Sequence, residues 1–169
     1  MTKGRLAYLA FTLPLVPVLV LVSGATRRAP VPQPVAFNHL KHTKDLGLDC
    51  QFCHKYVETG AHAGLPDAGT CGICHQAQQG KSPEAARVTK LLAAGDPLRF
   101  NKLFRLPTHV YYTHRRHVGI AKLECQQCHG GIASTERPPG RPLVAIRMKF
   151  CLSCHRAKGQ SLDCVSCHR

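Results

Sequence analysis

Phe37-Asn38-His39-Leu40-Lys41-His42, a gap of seven residues, then Cys50-Gln51-Phe52-Cys53-His54: this stretch recurs as Tyr112-Thr113-His114-Arg115-Arg116-His117, seven residues, and Cys125-Gln126-Gln127-Cys128-His129. The shared form is aromatic-x-His-x-x-His, the gap, and Cys-Gln-x-Cys-His. An internal repeat settles architecture before any secondary structure is assigned. Each copy runs on to a second Cys-x-x-Cys-His, at Cys71-Cys74-His75 and Cys151-Cys154-His155, and one more closes the chain at Cys164-Cys167-His168. All 10 cysteines are used in this way.

Cys-x-x-Cys-His is the attachment signature of c-type haem. Two thiols bond to the vinyl groups on one porphyrin edge, and the following imidazole becomes the proximal ligand of the iron. Zinc centres also use Cys-x-x-Cys pairs, but they do not call for His at the next position, and ten thiolates do not divide into four-cysteine sites. A disulfide framework has no use for the histidines. The sequence therefore predicts five covalently bound haem c groups. Cys50, Cys53, Cys71, Cys74, Cys125, Cys128, Cys151, Cys154, Cys164 and Cys167 attach them, and His54, His75, His129, His155 and His168 are the proximal ligands.

The composition fits this reading. The 169 residues suit one compact domain. Aromatics are 6% and Trp is absent, so side chains alone give a thin core that porphyrins would fill. The formal charge of +14 suggests an anionic partner. Five haems bring about ten propionate charges, which reduces it to about +4 and makes propionates, not nucleic acid, the partners of the basic side chains. Apolar residues at 44%, spread without heptads, exclude collagen, coiled coil and a long disordered tail.

Of 11 histidines, six remain after the proximal set: His39, His42, His62, His109, His114 and His117. Histidines three apart on a helical turn share neighbouring parts of one face. An iron with its proximal ligand has one axial position left, so the two histidines of each His-x-x-His must serve two haems and hold them close, as electron passage requires. The alternative, surface histidines on a basic turn, does not account for the duplicated spacing. Each module, 37–80 and 111–155, can thus ligate itself. For the fifth haem at 164–168 the candidate distal ligands are His109, Met148 and His62, in that order; methionine is a c-haem ligand that raises potential.

Leu6 to Ala25 is almost wholly apolar and follows Lys3 and Arg5. About 20 such residues suffice to span a bilayer, and the basic start keeps the N-terminus inside. Pro14 and Pro17 are tolerated there. A cleaved signal peptide ending near Ser23-Gly24-Ala25 is the alternative. The expectation is a retained anchor over 1–25, which places the haem domain at the periplasmic side of the cytoplasmic membrane. A Pro-rich linker, 26–36, reads as a stiff polyproline-like spacer. The pentahaem domain is 37–169. Ser82 to Ala94 reads as a helix bridging the modules, with Ser82 as N-cap, Pro83 in the first turn, Gly95 beyond the end and Val88, Leu91 and Leu92 on its apolar face. Arg137 to Pro142 reads as a loop. The expected fold class is a small multihaem cytochrome c: a few short α-helices and mostly irregular chain wrapped around five haems, with an N-terminal transmembrane helix. There is no Gly-rich phosphate loop or serine triad, and only nine acidic residues, so no catalytic site of its own is expected.

Several strings together resemble the pentahaem subunit of alternative complex III. They are Val35 to His54, His62-Ala63-Gly64-Leu65-Pro66, Thr70-Cys71-Gly72-Ile73-Cys74-His75, Leu106 to His114, Met148 to His155 and the last motif. The His-x-x-His plus Cys-x-x-Cys-His core is shared more widely, with cytochrome c3/c7-like families. Met148-Lys149-Phe150 departs from the Met-Gly-Trp that the family often carries. The resemblance implies a respiratory-chain electron relay, not an enzyme in itself, within a quinol:acceptor oxidoreductase. Its implied partners are an iron–sulfur subunit, polytopic quinol-binding membrane subunits, and a monohaem cytochrome c or terminal oxidase as acceptor. A freestanding quinol dehydrogenase fits less well, because Lys55-Tyr56 follows the first motif where a Met would be expected. A nitrite- or sulfite-reductase-like enzyme needs an open iron and a Cys-x-x-Cys-Lys motif, which the chain lacks. A periplasmic carrier or extracellular wire is at odds with a retained anchor.

Overall fold

A computed structural model of the chain describes residues 29–169. The apolar stretch Leu6 to Ala25 lies outside them; among the described residues no helix is long and apolar enough to cross a membrane.

From Val31 onward the chain forms one unit of short helices joined by irregular segments. The α-helices are α1 (Cys50–Cys53), α2 (Ala68–His75), α3 (Pro83–Ala93), α4 (Gln126–His129) and α5 (Met148–Ala157). Two π-helical turns, π1 (Lys41–Asp45) and π2 (Arg115–Ile120), precede α1 and α4. The described residues form no strand; there is one isolated antiparallel bridge, Val110 to His168.

The caps explain where the motifs begin. Asp49 accepts from Gln51 N to start α1, and Asp67 accepts from both Thr70 N and Thr70 Oγ1 to start α2. Those two bonds, backbone first, hold the Asp67 carboxyl below the usual carboxylate range. Ser82 Oγ accepts from Ala85 N, Pro83 occupies the first turn of α3, and Gly95 at φ +72° lies just past its end. α3 packs against α2, and Glu84 accepts from Ala36 N. This ties α3 to the first repeat.

The stretch read as a spacer is docked from Val31 onward. Val31 N donates to Gly140 O, Asn101 Nδ2 donates to Pro32 O, and Gln33 exchanges two hydrogen bonds with Asn101. Val35 is 4% exposed. The prolines cannot donate, so their carbonyls and one glutamine make the attachment.

Val35, Val57 and Leu98 are the only buried apolar side chains among the described residues. Phe52, Tyr56, Ile73, Val165 and other large apolar residues in and around the motifs stand exposed. A domain of this size normally buries a contiguous side-chain core. The apolar surface here lines the motifs, as a chain that folds around an apolar prosthetic group requires.

Candidate haem-ligating centre

The two His-x-x-His strings enter their π-turns in the same way. His39 lies in the helical turn that leads into π1, where His42 falls; His114 caps π2 and His117 lies within it. Wide backbone bonds mark both turns, Leu46 N to Lys41 O and Ala121 N to Arg116 O. A π-turn is wider than an α-turn, so residues three apart no longer stand one above the other. The two imidazoles are splayed toward different neighbours.

Those neighbours are proximal histidines. His42 faces His75 with ring centroids 6.3 Å apart, His114 faces His129 at 6.4 Å, and His117 faces His155 at 6.2 Å. His109 faces His168 at 5.6 Å. Two imidazoles sharing one metal, with metal–nitrogen bonds of about 2 Å and ring centres a little over 1 Å behind the nitrogen, stand about 6.3 Å apart. Three of the pairs match that spacing and the fourth is slightly short of it. His39 has no ring pair of this kind; burial, then the nearby His54 and His42, push it down to about 4, so it is neutral at neutral pH and keeps a lone pair. His62 has no ring pair of this kind; Met148 opens α5 and is 59% exposed.

Outer contacts fix which nitrogen is available. Nδ1 of His42, His54, His114, His117 and His155 lies 2.8–3.0 Å from the carbonyls of Asn38, Gly64, Ala61, Thr113 and Ser161. A carbonyl only accepts, so Nδ1 carries the hydrogen and Nε2 is left with its lone pair. This is the outer-sphere arrangement of metal-bound histidine. The residues therefore fit a haem c ligand set. His75 Nδ1 is buried without a hydrogen-bond partner.

The aromatic residue of each repeat acts on both histidines. Phe37 stacks on His42 at 4.4 Å and meets His39 edge-on at 4.8 Å; Tyr112 stacks on His117 at 4.6 Å and meets His114 edge-on at 5.0 Å. The aromatic was visible in the repeated string, but its role was not. Burial pushes the Tyr112 hydroxyl up to about 12, with Cys128 and Cys151 adding to it.

The ten cysteines are unpaired, and among the described residues no three His, Cys, Asp or Glu side chains gather to hold a metal ion. Burial raises the Cys71, Cys125, Cys128 and Cys151 thiols, and beyond it Cys71 is raised by Cys53, Cys125 by Cys50, Cys128 by Cys154 and Cys151, and Cys151 by Cys167. Thiols of different motifs are thus near one another in space. The last motif is knitted to the run before the second repeat: Tyr111 N donates to Cys167 O, Arg169 N to His109 O, and the Arg169 guanidinium lies 4.3 Å over Tyr111.

Two family models match the chain. Residues 21–94 match the class III cytochrome C family and residues 110–169 match cytochrome c7 and related cytochrome c, one match over each repeat. The chain is also similar to the multihaem cytochrome c subunit of menaquinone reductase from Nitratidesulfovibrio vulgaris. The two are 28% identical over 161 residues, covering 81% of this chain and 77% of that protein. With the motifs and the ring geometry, these similarities make the chain a small multihaem cytochrome c.

Proposed function

We propose that this chain carries five haems and relays electrons as the cytochrome subunit of a membrane quinol:acceptor oxidoreductase of the alternative complex III type. The observation that carries the reading is the set of opposed imidazole pairs at bis-axial spacing. Haem c supplies reversible one-electron iron chemistry. In this reading His54 pairs with His39, His75 with His42, His129 with His114, His155 with His117 and His168 with His109. The His54–His39 pair is assigned from the repeat, and the nearness of the two side chains supports it. These ten imidazoles would hold five haem irons between them and would leave no open position for a substrate. The chain's residues hold and orient; they do not catalyse. His62 and Met148 are left out of the ligand set.

The nearness of thiols from different motifs supports haem sites close enough together for electron passage. A retained anchor at Leu6 to Ala25 would keep the domain at the periplasmic face of the cytoplasmic membrane, beside an iron–sulfur subunit and polytopic quinol-binding subunits. A monohaem cytochrome c or terminal oxidase would be the acceptor. A second reading has electrons running toward the quinone pool, because the relative named above is a subunit of a menaquinone reductase.

Purification of the native protein from detergent-solubilised membranes tests the proposal. Co-purification of an iron–sulfur subunit and polytopic subunits, with five haems per chain by pyridine haemochrome, is the expected result. Migration alone, or release without detergent, overturns it. Reduction of the haems by added menaquinol, rather than by a reduced periplasmic cytochrome, separates the first direction from the second.

A further inference from the structure

The two repeats hold each other's histidines. The loop after the first motif holds the second His-x-x-His: Ala61 O accepts from both N and Nδ1 of His114, and Gly60 O accepts from Arg115 N and Thr113 Oγ1. The loop after the Cys125–His129 motif returns the contact through a 3-10 turn, Ile132–Ser134. Leu40 N donates to Thr135 O, and Thr43 Oγ1 lies 2.8 Å from Ala133 O and 2.9 Å from His39 O, with its one hydrogen between the two carbonyls.

Thr135 also reaches the ring. Its Oγ1 lies 3.2 Å from His39 Nδ1 and 2.8 Å from Ile132 O. A hydroxyl has one hydrogen to give, and the Ile132 carbonyl can only accept. That hydrogen is therefore directed at Ile132 O, and Oγ1 offers His39 a lone pair. His39 Nδ1 must be the donor, which leaves Nε2 bare. Five other histidines reach the same state through a main-chain carbonyl. At His39 the acceptor is a side chain 96 residues away, in the other repeat, and a point substitution can remove it.

We propose that Thr135 is a positioning residue for the first site: it reaches across the repeat boundary to fix the tautomer and plane of His39 and to raise the basicity of its Nε2. This rests on the axial pairing proposed above. An acceptor on Nδ1–H makes the ring a stronger donor and favours the oxidised iron. Its removal should raise one potential and leave the other four in place.

The test compares holoprotein carrying Thr135→Val, Thr135→Ser and His39→Ala with wild type, by optical redox titration, electron paramagnetic resonance and carbon monoxide binding. In Thr135→Val one redox couple is expected to move to higher potential and one low-spin ferric signal to shift, with five haems retained. Thr135→Ser is expected to match wild type. An unchanged Thr135→Val protein, or a Thr135→Ser protein shifted as far, overturns the proposal. His39→Ala separates the two failures. If it binds no carbon monoxide, the axial pairing is wrong; if it binds one per chain while Thr135→Val is unchanged, only the role of Thr135 is wrong. Should Thr135→Val mature with a haem missing, proton nuclear magnetic resonance of the reduced wild type decides. A slowly exchanging His39 Nδ1–H close to the Thr135 methyl supports the proposal, and a ring proton with no such contact overturns it.

Discussion

Replacing His117 with alanine removes one ring of the pair it forms with His155, 6.2 Å apart. Two local interactions go with it: the stack on Tyr112 at 4.6 Å and the hydrogen bond to Thr113 O at 2.9 Å. Each contributes about 1 kcal/mol, so the loss of about 2 kcal/mol lowers the melting temperature by about 4–8 °C. That is too little to stop folding, and attachment through Cys151 and Cys154 is untouched. His114, three residues away, faces His129, so one iron alone loses its sixth ligand. With five motifs in the chain, one-fifth of the haem should become high-spin and bind one carbon monoxide per chain when reduced. The measurement is a carbon monoxide titration of the dithionite-reduced protein, normalised to pyridine haemochrome. No binding would refute the pairing of His117 with an iron. Binding of two per chain would refute the division of each His-x-x-His between separate sites.

His109→Ala should likewise bind one carbon monoxide per chain, additive with His117→Ala because the sites do not share a ligand; His62→Ala and Met148→Ala should bind none. At Gly119 a Cβ would collide with the Glu58 backbone carbonyl, where the loop of one repeat meets π2 of the other. Gly119→Ala should therefore lower the melting temperature by more than the loss of the exposed Lys122–Glu58 ion pair does in Lys122→Met. Ser82→Ala removes the cap of α3 and should cost about 1 kcal/mol in chemical denaturation with every redox potential unchanged. Asp67 titrates below its usual range in the folded protein, so its contribution is present at neutral pH and lost as the pH falls through the depressed value. The gap in melting temperature between wild type and Asp67→Ala should hold at pH 7, begin to narrow near about pH 4 and close only as the pH passes below the depressed value.

The motifs were legible because covalent attachment calls for a histidine directly after each Cys-x-x-Cys pair, which zinc sites and disulfides do not. The His-x-x-His gap was equally readable, since it is local and occurs twice. The helix after Ser82 followed from capping chemistry: Ser, Pro and Glu at its start and Gly past its end. The π-turns were not readable, because histidines three apart suit an α-turn as well. Nor was the docking of Gln33 on Asn101, which depends on residues 68 positions apart, or the reach of Thr135 to His39. Nothing in a local pattern distinguishes a proline-rich stretch that stands off from one whose carbonyls are claimed by a distant asparagine. Nor could the pattern show that His109 faces His168, or that Ala61, beside His62, lends its carbonyl to His114.

The interlocking of the repeats also sets a timetable for the protein's making. Hydrogen bonds join Val31 to Gly140, His39 to Thr135 and Thr43 to Ala133. The first half of a chain emerging N-terminus first finds none of these partners until the far loop has arrived. Such long-range closures are slow. During that interval the first repeat lacks the contacts that the second supplies. A chain truncated between the repeats would lack these bonds however well its first half is made.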